Sequence, residues 1–252
     1  METFVATHSI VRRIWGKSDT VLFIFAGAAA EFALNKAVDW LYFTGRLPAD
    51  PLGRLFSTVR YARQIVFANK VDALKAIDKI TSIHTAVETA RDSTIPDWAY
   101  RDVLFLLIHY SIAAYELMEQ KLTPAEKEDV YQVFLAIGTR MGLKALPPNY
   151  NAWLPVRDAH LQADLQKSAY TIDLYKQYKK HLGVVRYFFL LQVQVLVVPQ
   201  HVKNLLGLHT TFGIKPVIFF YKWSRRWNGD RFIKAALLPR AYKKEIAALD
   251  IA

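Results

Sequence analysis

Apolar positions return every three to four residues along most of this chain, and they rarely alternate. Over 70–91, KVDALKAIDKITSIHTAVETAR, Ala73, Ile77, Ile80, His84 and Val87 share one stripe, while Lys75, Asp78, Lys79 and Thr85 point away. That period predicts an amphipathic helix with its stripe against a core. A second helix is predicted over 97–121, opening after STIP with Asp97 in its first turn. A third is predicted over 122–142, with Thr123 as N-cap, Pro124 in the first turn, Glu126 closing a capping box and Gly142 as the stop. LPPNYNAWLP (146–155) reads as a connector, and further helices are expected over 156–182, 183–198, 212–227 and 230–249. The β-branched VQVLVVP ends a long apolar run and has no hairpin partner, so no strand is expected.

Two runs are apolar all round, VLFIFAGAAA (21–30) and YFFLLQVQVLVVP (187–199). Both fall short of the ~20 residues a spanning helix needs, which predicts buried helices rather than membrane spans. The N-terminal METFVATHSIVRRIWGK lacks an apolar region followed by a small-residue cleavage site, so no signal peptide is expected. The expected location is cytoplasmic, with at most a peripheral attachment to membrane. The expected fold is all-α. Residues 1–252 are expected to form a single globular domain, with a helical core over 10–210 and basic, aromatic helices over 211–252.

Composition adds to this picture in three ways. A 252-residue chain that is 53% hydrophobic can bury one large core, and 13% aromatic content implies a thick core or a ring-lined cavity. The absence of cysteine removes disulfides, iron–sulfur clusters, thiolate-bound haem, Cys-type zinc sites and thiol nucleophiles together. A net charge of +11 attracts phosphates or anionic surfaces. The excess concentrates in YKWSRRWNGDRFIKAALLPRAYKK (221–244), with eight Lys or Arg against one Asp, interleaved with Trp223, Trp227, Phe232 and Tyr242. That pattern fits a membrane interface, a single-stranded nucleic acid, or a plain solvated face with snorkelling cations.

Catalytic motifs are mostly missing. There is no G-x-G-x-x-G, no P-loop, no G-x-S-x-G elbow and no H-E-x-x-H. No Glu is followed at +3 by His, which disfavours a di-iron bundle. Of seven histidines, two lie on clearly apolar helices: His84 on the stripe above, and His109 in LFLLIHYSIAAYE with Glu116 seven residues on, on the same face. A lone buried histidine is commonly a core residue held by one hydrogen bond. In a chain without cysteine it is also the best ligand left for a transition metal or a haem iron. In RLPADPLGRLFSTVRY (46–61), Arg54 and Thr58 project one turn apart among Leu55, Phe56, Val59 and Tyr61. They are either a solvated edge or the polar wall of a site that wants a cation and a hydroxyl.

DWLYFTGRLPADPLGRLFSTVRYARQIVF (39–67), IHTAVE (83–88), LIHYSIAAYE (107–116) and LLGL (205–208), taken in order, resemble the catalytic domain shared by latex-clearing proteins (rubber oxygenases) and mpaB-type ER-bound oxygenases. The similarity covers roughly 10–210. Its most specific part, GRLPADPLGRLFST, is closer to the mpaB-type branch. The resemblance implies a globin-reminiscent helical fold holding haem b without covalent attachment. It implies His84 as the iron ligand, from the H-x-x-V helix, and Arg54 and Thr58 as the distal pair after DPLG. It also implies Asp39, with Glu31 as the alternative, as an acidic base ahead of that pair. His109 is carried as a further cofactor-binding candidate.

Four positions depart from the pattern. Ser57 stands where the latex-clearing branch has a lysine able to close the sixth iron position. Glu88 stands four residues after the ligand histidine, where many members have arginine. Leu34 and Asn35 stand in a region where bacterial relatives have histidines. The activity implied is dioxygenase cleavage of an isoprenoid or lipid-like double bond, with dioxygen and an apolar small molecule as partners. The basic C-terminal region would make any peripheral membrane contact, and no specific nucleic acid is expected. Two other readings stand beside it: a haem carrier or sensor of the same fold without turnover, and a basic membrane- or nucleic-acid-associated helical protein.

Overall fold

In the computed structural model, residues 2–209 and 221–225 are described. They contain eleven helices and no strand: α1 (Ile10–Trp15), α2 (Ser18–Phe32), α3 (Asp39–Phe43), α4 (Arg46–Ala49), α5 (Pro51–Phe67), α6 (Lys70–Arg91), α7 (Asp97–Met118), α8 (Pro124–Arg140), α9 (Tyr150–Asp164), α10 (Ala169–Val197) and α11 (Gln200–Leu206). The expectation of an all-α fold therefore holds for the described residues. The helices predicted over 212–227 and 230–249 lie outside them, apart from a helical turn at 221–225. That turn is tied down by Lys222 Nζ donating to the Leu117 carbonyl (3.1 Å) and by Arg225 donating to Glu119 (2.6 Å).

The packing centres on α2 and α7, which run against each other, with α10 laid across α2 and α5 paired with α6. Gly27 shows why α2 and α7 come so close. A Cβ there would lie 2.3 Å from Cδ1 of Tyr110, so only glycine admits that ring. Both apolar runs are helical; the first is buried as expected, whereas the second is buried only from Gln192 on and leaves Phe188 exposed. The core around α2 takes in Val21, Ile24, Phe25 and Ala30. Both glutamines of the second run are buried. Gln192 Oε1 has no hydrogen-bond partner, whereas Gln194 donates to the Ala26 carbonyl (3.1 Å) and accepts from the Tyr175 hydroxyl (3.0 Å). A buried amide is tolerated when its bonds are made. No helix among the described residues is long and apolar enough to cross a membrane.

Local signals placed several ends well. Thr123 and Glu126 form the reciprocal capping box of α8, with Pro124 in its first turn. Gly142 follows that helix at φ 81°, with its N–H bonded to Thr139. Two boundaries differ from the sequence reading and a third agrees with it. The connector before α9 ends at Asn149, whose side chain caps the helix by accepting from Ala152 N (2.9 Å), and Pro155 lies inside the helix. The helix expected over 156–182 is interrupted at 165–168. There the Gln166 N–H turns to the Leu34 carbonyl, and a Ser168–Thr171 capping box starts α10. Finally, α10 bends at Gly183, which takes φ 73° and ψ 169° at the 182/183 boundary expected between two helices.

Candidate functional site

Asp50 caps α5 by accepting from Gly53 N (2.8 Å), with Pro51 at the first helical position. A Cβ at Gly53 would lie 2.0 Å from the Asp50 carboxylate, so the glycine of DPLG is required by the cap itself. The cap sets the phase of α5. Phe56 and Val59 go into the core, and Arg54, Ser57 and Thr58 go together to its half-buried side. There the Arg54 guanidinium donates to the Ser57 hydroxyl (3.1 Å) and the Thr58 hydroxyl (3.2 Å). Both hydroxyls in turn donate to the Arg54 carbonyl (2.7 and 3.3 Å). The cation and the two hydroxyls are thus held as one unit.

His84 comes from α6, which pairs with α5. Its stripe is deepest at Ala73 and Ile77 and shallower at Ile80, His84 and Val87, while Lys75, Asp78, Lys79 and Thr85 are exposed. His84 is half-buried, and its Nδ1 is buried without a hydrogen-bond partner. Burial pushes its pKa down, the Arg54 guanidinium pushes it further, and Glu88 opposes them. The imidazole is therefore held neutral, the state a metal ligand requires. Its ring lies 5.2 Å from that of Tyr100 on α7. Glu88, one turn on, accepts from the Tyr100 hydroxyl (3.2 Å) and from Ile95 N (2.8 Å). The Arg54 charge therefore acts on His84, and Thr58 is tied to Arg54.

The remaining candidates lie in other surroundings. Asp39 is ion-paired with Arg91 (2.6 Å), whose guanidinium covers the Trp40 ring at 4.1 Å. Glu31 is a strut of the core, 2% exposed, accepting from the Tyr110 hydroxyl (2.8 Å) and from Arg157, itself 4% exposed. His109 sits beside that pair. Burial pushes its pKa down to about 4, with the Arg157 cation adding to the shift and Glu31 opposing it. Glu116, on the same predicted face as His109, is taken by Lys121, Lys127 and Leu122 N. Two shallow surface clefts are lined by His8, Ser9, Arg13 and Asp129 and by Glu2, Asn69, Lys70 and Asp72. Neither involves His84 or Arg54.

One cluster escaped the sequence reading. Asp102 on α7 and His160 and Asp164 on α9 bring ligand atoms within 4.8 Å of one another, a group that could hold a metal ion. His160 Nδ1 is 2.5 Å from Asp102 and 3.2 Å from Asp164, and Asn35 donates to the other Asp102 oxygen (2.7 Å). Burial and the Asp102 charge push Asp164 up. As it stands the trio is a hydrogen-bonded clamp between α7, α9 and the segment after α2. The only sequence signal for it was the four-residue spacing of His160 and Asp164.

A family model described as ER-bound oxygenase mpaB/B'/Rubber oxygenase, catalytic domain, matches residues 12–222. No curated protein and no solved structure matches the chain.

Proposed function

Since the chain belongs to the ER-bound oxygenase mpaB/B'/rubber oxygenase catalytic-domain family, we propose that it is a haem b-dependent oxygenase cleaving a double bond of an isoprenoid or lipid-like substrate. In that reaction one dioxygen and one carbon–carbon double bond give two carbonyl groups. The observation that carries the reading is His84, a neutral imidazole with a buried, unspent Nδ1, in the field of Arg54. His84, whose buried Nδ1 has no hydrogen-bond partner, would ligate the iron of a haem, and Arg54 and Thr58 would supply hydrogen bonds to dioxygen. The dioxygen chemistry, which no side chain can run, is what a bound haem supplies.

The chain's own groups have separable tasks. Arg54 and the Thr58 hydroxyl offer hydrogen bonds to an oxygen atom as negative charge develops on it. Ser57 is short and bonded to its own helix, so it cannot reach out as a lysine would. Asp39 is the acid/base candidate, and to accept a proton it must first release Arg91. His109, the remaining cofactor-binding candidate, has Arg157 and Glu31 as its electrostatic neighbours.

An absorption spectrum of protein expressed with added haem tests this, together with His84→Ala. A haem band that is lost or changes ligation in the variant is expected, as are carbonyl products from an alkene under oxygen. A folded, colourless wild type that also refuses added haem overturns the proposal. Haem binding without turnover is the second reading. It is favoured by Glu88, which stands near the ligand histidine where many relatives have a cation and is bound to Tyr100 and Ile95.

A further inference from the structure

The bend in α10 is more than a boundary marker. At Gly183 the backbone leaves helical geometry (φ 73°, ψ 169°), and no heavy atom lies within 4 Å of where a Cβ would be, so the corner stands open on the surface. The next residues are apolar and exposed: Val184 is 70% accessible, Val185 66% and Phe188 48%. Val184 and Phe188 are four residues apart and share one helical face. Single exposed apolar side chains need no explanation, but three within five residues at a convex corner form a patch.

The charges that flank this patch along the chain have one sign. Lys176, Lys179 and Lys180, on the segment leading in, are all exposed, and Arg186 follows. From Leu174 to Gly229 the sequence contains nine Lys or Arg and no Asp or Glu. The nearest acid, Asp173, is already engaged by the Tyr42 hydroxyl (2.9 Å). An exposed apolar tip with exposed lysines on the segment leading into it complements a surface that is anionic outside and apolar beneath.

We propose that the Gly183 corner is a docking site for an anionic lipid bilayer. Val184, Val185 and Phe188 enter the boundary between headgroups and acyl chains, and Lys176, Lys179 and Lys180 lie against the headgroups. The attachment is peripheral. It is distinct from any contact made by 211–252, and it does not depend on the haem reading.

Co-sedimentation of the full chain with phosphatidylcholine vesicles, with and without phosphatidylserine, tests the site. Wild type should bind the phosphatidylserine vesicles preferentially and release with salt. The double variants Val184→Asp/Val185→Asp and Lys179→Glu/Lys180→Glu change only exposed positions, so each should keep the wild-type circular dichroism. Each should lose roughly tenfold or more in vesicle affinity. Failure of the wild type to bind at low salt overturns the proposal. Wild-type binding by either variant also overturns it, since that assigns the contact elsewhere in the chain. A dimer abolished by Val184→Asp/Val185→Asp, or binding by the same lysines to single-stranded nucleic acid without vesicle binding, identifies a different occupant and overturns it too.

Discussion

Replacing Glu31 with glutamine separates two roles for this carboxylate, because a core strut and a catalytic base respond differently. The substitution keeps the shape and an acceptor oxygen but removes the charge. Arg157, 4% exposed, then loses the anion that balances it. Its Nε is buried without a hydrogen-bond partner already, so no spare protein contact compensates. Breaking one side of a buried pair costs about 3–5 kcal/mol, because an uncompensated charge remains. The retained acceptor puts Glu31→Gln near the lower end, ~3 kcal/mol. For a chain of this size that lowers Tm by roughly 6–12 °C.

The assay is urea unfolding of Glu31→Gln, Arg157→Met and the Glu31→Met/Arg157→Met double variant. Because apolar replacement of both partners removes the stranded charge, the double variant should be much less destabilised than the sum of Arg157→Met and a matching Glu31→Met. Strictly additive losses refute a coupled pair. A Glu31→Gln protein within about 1 kcal/mol of wild type refutes the strut, since that magnitude belongs to exposed pairs. If turnover alone were lost at unchanged stability, Glu31 rather than Asp39 would be the base.

Two further outcomes follow from backbone and burial. His109 is ordinarily near 6.5 and is pushed down to about 4, so between those values the unfolded chain binds a proton that the folded chain does not. Stability therefore falls as pH drops through that window, by up to roughly 3 kcal/mol from this group. His109→Gln should flatten the slope of unfolding free energy against pH between 6.5 and 4, and an unchanged slope refutes the assignment. Gly183→Ala forces a Cβ into a backbone region that L-residues rarely adopt, at about 1–3 kcal/mol. Urea unfolding indistinguishable from wild type would mean that the corner is not a strained fixed point.

What could be read in advance was what is local in the chain. The Thr123–Glu126 cap, the stop at Gly142, the bend at Gly183 and the Arg54–Thr58 pair each rest on residues within five positions of one another. The break at 165–168 has no glycine or proline to announce it. It exists because Gln166 pairs with Leu34 and Leu165 with Asn35, more than a hundred positions away in the chain. Pro155 misled in the opposite sense. Asn149 had already started a helix, which absorbs one missing N–H.

The site divides along the same line. One helical turn was enough to foresee that Arg54 and Thr58 meet, and a stripe was enough to place His84 against the core side of α6. Nothing local says that Tyr100 lies against the His84 ring, or that Glu88 turns to Tyr100 and Ile95 and so spends its carboxylate on neutral donors. That arrangement changes the meaning of the Glu88 departure. A free carboxylate beside His84 would favour the imidazolium and compete with metal binding. A carboxylate held by two hydrogen bonds opposes Arg54 only in part, and the net push on His84 remains downward. The departure from arginine at this position is therefore compatible with a neutral His84, and its consequence is expected in turnover before it is expected in ligation.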